Sequence, residues 1–78
     1  MKIDKITYTY TINASTNKVV NVTFDKGTVK GSWVNYVAGS RDNTSADAQF
    51  INDKTLIVYN KHASTAQDIT VNVCIIYI

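Results

Sequence analysis

The sequence predicts an all-β protein, a small antiparallel six-stranded β-sandwich formed as one domain over residues 1–78. Three observations carry that prediction. Valine, isoleucine and threonine supply 28 of the 78 residues, and five tyrosines, two phenylalanines and a tryptophan add to them; β-branched and aromatic side chains suit a pleated, half-buried surface. There is no glutamate and a single leucine, so two of the strong helix formers are missing or nearly so. Finally, six segments alternate apolar and polar residues with a period of two and are separated by turn-forming residues.

The first segment places Ile6, Tyr8, Tyr10 and Ile12 on one face and Thr7, Thr9 and Thr11 on the other. That pattern predicts a strand covered on one side. Asn13-Ala14-Ser15-Thr16-Asn17 reads as the turn that follows. The second strand is expected over Val19–Phe24, with Val20, Val22 and Phe24 inward, and Asp25-Lys26-Gly27 breaks it. Ser32–Ser40 reads as the third strand. Its alternation puts Val34, Tyr36 and Ala38 on one face and Trp33, Asn35 and Val37 on the other.

Gly39–Ser45 is the longest polar loop, and Ala46, Ala48 and Phe50 suggest a fourth strand. Asn52-Asp53-Lys54 makes a hairpin turn into a fifth strand, Thr55–Asn60, in which Leu56 and Val58 alternate with Ile57 and Tyr59. His62–Ala66 forms the next loop. The last strand, Asp68–Ile78, puts Ile69, Val71, Val73, Ile75 and Tyr77 on one face and Thr70, Asn72, Cys74, Ile76 and Ile78 on the other. From Val73 onward both faces are apolar, which calls for something packed on the second one. Expected core residues are Val20, Val22, Phe24, Leu56, Val58, Val71 and Val73.

A domain this short buries a small core and usually relies on a disulfide, a metal or a partner subunit. One cysteine, Cys74, excludes an intrachain disulfide, and one histidine, His62, beside it excludes a four-ligand Cys/His zinc site. A partner subunit remains, and a homotrimer with Ile76 and Ile78 near its axis is expected. The loops Gly39–Ser45 and Lys61–Thr65 would then lie near subunit boundaries.

Charge excludes other partners. Eight Lys and Arg stand against six Asp, giving a net +2. The basic residues are scattered, without the stripe that a phosphate backbone requires, so no nucleic-acid partner is expected. Val73–Ile78 is the longest apolar run and is far shorter than a membrane span, so no membrane insertion is expected. Met1–Ile12 carries Lys2, Asp4 and Lys5 and alternates, unlike a signal peptide.

The residues give no catalytic pattern. Cys74 lies among Val73, Ile75 and Ile76, where a cysteine acts as a small apolar residue and not as an accessible nucleophile. Most aspartates fall at turns, where they serve local hydrogen bonding. No phosphate-cradling glycine loop and no metalloprotease motif is present, and no cofactor is expected. The polar candidates for ligand contact are Arg41, Asp42 and Asn43, a fork of donors flanked by carboxylate and amide, together with His62 in the neighbouring loop. Each has a plain alternative: Arg41-Asp42-Asn43 pairing locally to stiffen its loop, and His62 simply solvated. Trp33 fits the core edge or an interface better than a ligand platform.

Four segments in order carry a resemblance: Asn17–Phe24 (NKVVNVTF), Val34–Asn43 (VNYVAGSRDN), Leu56–Asn60 (LIVYN) and Ala66–Ile76 (AQDITVNVCII). Together they resemble the small domain at the tips of phage tail fibres and receptor-binding proteins, a layout similar to H-type lectin domains. The resemblance implies a trimeric antiparallel sandwich with the final strand near the threefold axis. It also implies recognition of a cell-surface glycan or receptor without catalysis, on a virion tail or outside the cell. A purely structural trimerisation or decoration module is the alternative. The chain departs from the pattern where such domains often carry Trp in the last strand and this one has Val73-Cys74. Arg41 falls earlier than the lectin arginine, and His62 is only near the expected loop. The resemblance leaves open whether the chain is free-standing or a domain cut from a fibre.

Overall fold

A computed structural model describes all residues, Met1–Ile78. Six strands run in the order β1 (Lys2–Ile12), β2 (Thr16–Asn21), β3 (Val29–Gly39), β4 (Ala46–Asn52), β5 (Thr55–Asn60) and β6 (Gln67–Tyr77). A single 3-10 turn, Asn43–Ser45, precedes β4. The strands form two three-stranded antiparallel sheets, β1-β6-β3 and β2-β5-β4, which pack face to face. The all-β sandwich read from composition and alternation is the fold.

The core lies between the sheets. Ile69, Val71 and Val73 from β6 face Leu56 and Val58 from β5, all fully buried, with Ile12, Val20, Ala46 and Ala48 completing the cluster. Alternation explains why: each strand turns every second side chain toward the opposite sheet. Tyr8 and Tyr10 of β1 stack with their ring centres 6.0 Å apart, and the Lys18 ammonium of β2 lies over the Tyr10 ring. They close one open side of the sandwich.

The two sheets differ in length. β1, β3 and β6 have 11 residues each, whereas β2 and β5 have six. At about 3.3 Å per residue the longer sheet outruns the shorter one, and the molecule is elongated, 42 × 16 × 15 Å. The segment 22–28 covers the overhang. It leaves β2, crosses to the long sheet and pairs Thr28 with Ile78 through both backbone hydrogen bonds (2.9 and 3.1 Å). Phe24 packs edge-to-face on Tyr77, and Lys26 pairs with Asp4 at 3.0 Å.

This crossover corrects the second strand. β2 ends at Asn21, and Val22–Phe24, expected to extend it, belongs to the crossing segment. Val22 is still buried, but Phe24 is only half-buried, because it sits on the overhang beyond the main core. β1 begins at Lys2, four residues before the first residue of the alternating pattern, and β3 begins at Val29, ahead of Ser32.

Faces within β3 also differ from simple alternation. A bulge between Val34 and Tyr36 leaves Asn35 unpaired, opposite β6. The extra residue restarts the period, so Val34 and Val37 both turn inward against the core. Trp33 and Tyr36 turn outward, 40% and 57% exposed. Trp33 is therefore not a core residue.

Burial orders the expected losses. Leu56→Ala, at the centre of the core, is expected to cost roughly 3–5 kcal/mol. Phe24→Ala is expected to cost about 1–3 kcal/mol, because its ring is only partly removed from water. Urea denaturation of the two variants measures both; equal losses would show that the overhang is packed as tightly as the core.

Candidate functional site

The loops that carry Arg41, Asp42, Asn43 and His62 meet at one end of the sandwich. They meet through two buried polar residues that alternation gives no reason to single out, Asn60 and Gln67. Asn60 ends β5 and Gln67 begins β6, so six residues of loop separate them in sequence while the pair bridges the two sheets.

Every polar position of Asn60 is used. Its amide nitrogen donates to the carbonyl oxygens of Ile12 (2.8 Å) and Thr65 (3.1 Å). Its oxygen accepts from the His62 backbone N–H (3.0 Å) and from Gln67 Nε2 (2.9 Å). The Gln67 oxygen in turn accepts from the backbone N–H groups of Arg41 (3.2 Å) and Asp42 (3.1 Å). No buried side-chain nitrogen or oxygen is left without a partner. Burying amides is costly unless all are paired, and here one pair holds the end of β1 and both loops. The nearby Gly39 leaves no room for a Cβ, which would come within 2.4 Å of Gln67 Oε1. A polar residue closing an apolar-alternating strand was the one trace of this hub in the sequence.

The same arrangement consumes much of the predicted site. Asp42 caps the 3-10 turn: one carboxylate oxygen accepts from the Thr44 backbone N–H (3.0 Å) and hydroxyl (2.7 Å), the other from the Ser45 hydroxyl (2.7 Å). This is the local role that Asp prefers at turns and caps. These bonds, from Ser45 first and then Thr44, hold the Asp42 carboxyl below the usual carboxylate range, and nearby His62 adds to the effect. Asn43 accepts from the Gly39 N–H (3.0 Å) through its side-chain oxygen, closing the loop on itself. His62 accepts at Nδ1 from the backbone N–H groups of Ser64 (3.3 Å) and Thr65 (3.2 Å), and its Nε2 has no partner within the protein. The Arg41 side chain makes no ion pair and is exposed.

The structure thus brings Asp42 close to His62 and sets Arg41 and Asn43 on the same loop end. It leaves the Arg41 guanidinium, the Asn43 amide nitrogen and His62 Nε2 for a ligand, while the Asp42 carboxylate is occupied. No concavity forms there. The cleft of the molecule, about 520 Å³ and open to solvent, lies instead at the turn between β4 and β5, against Gly27–Val29. No group of three or more His, Cys, Asp or Glu is placed to hold a metal ion, and no helix is long and apolar enough to cross a membrane.

The outer face of the β1-β6-β3 sheet is divided along its length. Near the loop end it is polar and cross-linked: Thr9 with Thr70, Thr11 with Asp68, and Asn72 with both Thr7 and Asn35. Toward the other end it becomes apolar. Cys74 is buried there between its strand partners Lys5 and Trp33, and Ile76 lies opposite Ile3. Ile3 and Ile78 are 60% and 62% exposed.

Fold and surface define a small antiparallel β-sandwich with an apolar patch at one end of the outer face of its long sheet and a polar loop cluster at the opposite end. In comparison with known proteins, no family model, no curated protein and no solved structure matches the chain.

Asn60→Asp keeps the shape but replaces the amide nitrogen, with its two N–H donors, by one carboxylate oxygen facing the Ile12 and Thr65 carbonyls. It should cost at least about 3 kcal/mol in chemical denaturation, and Gln67→Leu should loosen the backbone of Arg41 and Asp42 in hydrogen exchange. For Asp42, the folded-state pKa lies below the unfolded one. Its contribution is therefore present above the ordinary carboxylate range and is lost as pH falls through the depressed folded value. Carbon-detected NMR titration should place the Asp42 midpoint below that of a free aspartate, and Thr44→Val with Ser45→Ala should move it upward. A midpoint unchanged by the double variant would show that the hydroxyls do not set it.

Proposed function

We propose that the chain is a non-catalytic carbohydrate- or receptor-binding module of the phage tail-fibre or H-type lectin kind, acting as a homotrimer on a virion tail or outside the cell. The observation that carries the reading is the divided outer face of the long sheet. A module of 78 residues with 14 of them buried has a thin core. An apolar sheet end holding Ile3, Trp33, Ile76 and Ile78 is a surface that a soluble domain covers or suffers for. Three copies meeting through that end, with Ile76 and Ile78 toward the axis, bury it and enlarge the shared core.

This assembly gives the two ends different work. β6 runs from Gln67 at the loops to Tyr77 at the apolar end, roughly 30 Å away. The loops therefore stand away from the contacts made by Ile76 and Ile78. Arg41, Asn43 and His62 offer donors there, while Asp42 stiffens the loop that presents them.

A purely structural module, trimerising or decorating a larger assembly, is the second reading. It is favoured by the saturation of Asp42 and the internal use of Asn43 and His62, since these are the groups a sugar site would need. A glycan array with the purified chain separates the two: specific retention of a glycan supports the binding module, and none across the array supports the structural one.

The assembly has its own test. Light scattering should return three times the 8.7 kDa of the chain at micromolar concentration. Ile76→Asp should dissociate or unfold it by placing an unpaired charge in the contact. Ile3→Asp, at a position exposed in the single chain, should dissociate it while leaving the β spectrum intact. A stable 8.7 kDa species for the wild type would overturn the trimer.

A further inference from the structure

We infer that the cleft between Gly27–Val29 and the β4–β5 turn is a preformed binding site for a neutral polyhydroxylated ligand, a saccharide unit carrying adjacent free hydroxyls. The inference rests on the carbohydrate-binding reading and moves the sugar contact from the loop end to the opposite end of the sandwich. Its basis is the construction of the two walls and the inventory of groups they leave unpaired.

Both walls are fixed to the frame. In the turn, the Lys54 carbonyl oxygen accepts from the Val22 N–H (2.8 Å), and the Asp53 carbonyl oxygen accepts from the Ser32 hydroxyl (2.9 Å). Asn52 closes the turn from within, its side-chain oxygen accepting from the Lys54 N–H (3.0 Å). The facing wall is pinned by the double backbone pairing of Thr28 with Ile78. Gly27 is required there, since a Cβ would come within 2.5 Å of the Ile78 carbonyl oxygen. Each wall also adjoins a bulge, with Lys30 extra in β3 and Ile51 extra in β4. Bulges re-aim the residues beside them and gather near functional sites.

Pinning through the main chain leaves the side-chain ends free. The Asp53 carboxylate, the Lys54 ammonium, the Asn52 amide nitrogen and the Thr28 hydroxyl make no hydrogen bond or ion pair within the protein; the two ion pairs of the molecule are Lys26–Asp4 and Lys61–Asp47. The set holds both acceptors and donors, and Asp53 balances Lys54. Val29 is the single apolar residue in the lining. An apolar ligand gains little there, an anion faces Asp53, and a cation faces Lys54. Adjacent hydroxyls donate and accept at each oxygen, so they match a carboxylate beside an ammonium and an amide. The volume, about 520 Å³, is within the usual range for small-ligand sites. The openness of the cleft and the lack of an aromatic floor point to affinity of roughly millimolar order.

The test is an amide NMR titration of the full chain with methyl glucoside, methyl galactoside, methyl mannoside and methyl N-acetylglucosaminide. At least one is expected to shift Gly27–Val29 and Asn52–Lys54 selectively. Asp53→Ala removes the carboxylate but keeps the carbonyl that Ser32 uses, so the spectrum should stay folded while binding weakens by roughly tenfold or more. Lys54→Ala retains its carbonyl likewise and serves as the second variant. Shifts confined to Arg41–Asn43 and His62 would overturn the cleft and leave the carbohydrate reading standing. Equal shifts at the cleft from sodium phosphate would overturn the neutral-ligand assignment, and no shift from any glycoside would overturn both the cleft and the carbohydrate reading.

Discussion

The hydrogen-bonded pair Asn60–Gln67 is the constraint on which the loop end depends. A β-sandwich is held by apolar contact between its sheets, and apolar contact has no direction. It does not say where one strand must end or how a connecting loop must lie. Two buried amides do, because each unmade bond would leave a dehydrated polar group. Asn60 sits in one sheet and Gln67 in the other, and between them they fix the end of β1, the start of the 61–66 loop and the backbone of Arg41 and Asp42. The specificity of that end is polar, while its adhesion is apolar.

The opposite end solves a different problem. The long sheet extends past the short one, so its inner face would be bare without cover. The 22–28 segment supplies it, and the aromatic contact of Phe24 with Tyr77, the Lys26–Asp4 pair and the Thr28–Ile78 pairing hold it down. Because this cover is irregular chain and not a strand, it does not meet the β4–β5 turn as a flat surface. The cleft is the space between them. Its shape is thus a consequence of unequal sheet lengths.

The outer face of the long sheet shows how one strand can serve two surroundings. Thr70 and Asn72 of β6 join a ladder of threonine and asparagine side chains that satisfies itself in water. Two and four residues beyond Asn72, Cys74 and Ile76 stand among Ile3 and Trp33. The bulge at Asn35 contributes to this division. By restarting the alternation of β3 it keeps Val37 in the core and turns Tyr36 outward.

The sequence by itself determined the all-β class, the six strands and the core of the two central strands. Alternation in Thr55–Asn60 and in Gln67–Tyr77 is a property of the chain alone, and burial follows it residue by residue from Leu56 to Asn60 and from Gln67 to Val73. The two-faced apolar end of β6 was legible for the same reason. Only the tertiary structure decided the faces of β3, since a bulge is one extra residue whose side chain looks like any other polar position. It alone decided the end of β2, because Val20, Val22 and Phe24 keep perfect alternation although the chain leaves the sheet after Asn21. It also decided which polar residues are free. Arg41, Asp42, Asn43 and His62 have the chemistry of a ligand site, but whether a carboxylate meets a ligand or its own loop depends on what folds beside it. Thr44 and Ser45 take Asp42, whereas Asp53 in an equally ordinary turn keeps its carboxylate free because Ser32 binds its backbone oxygen instead.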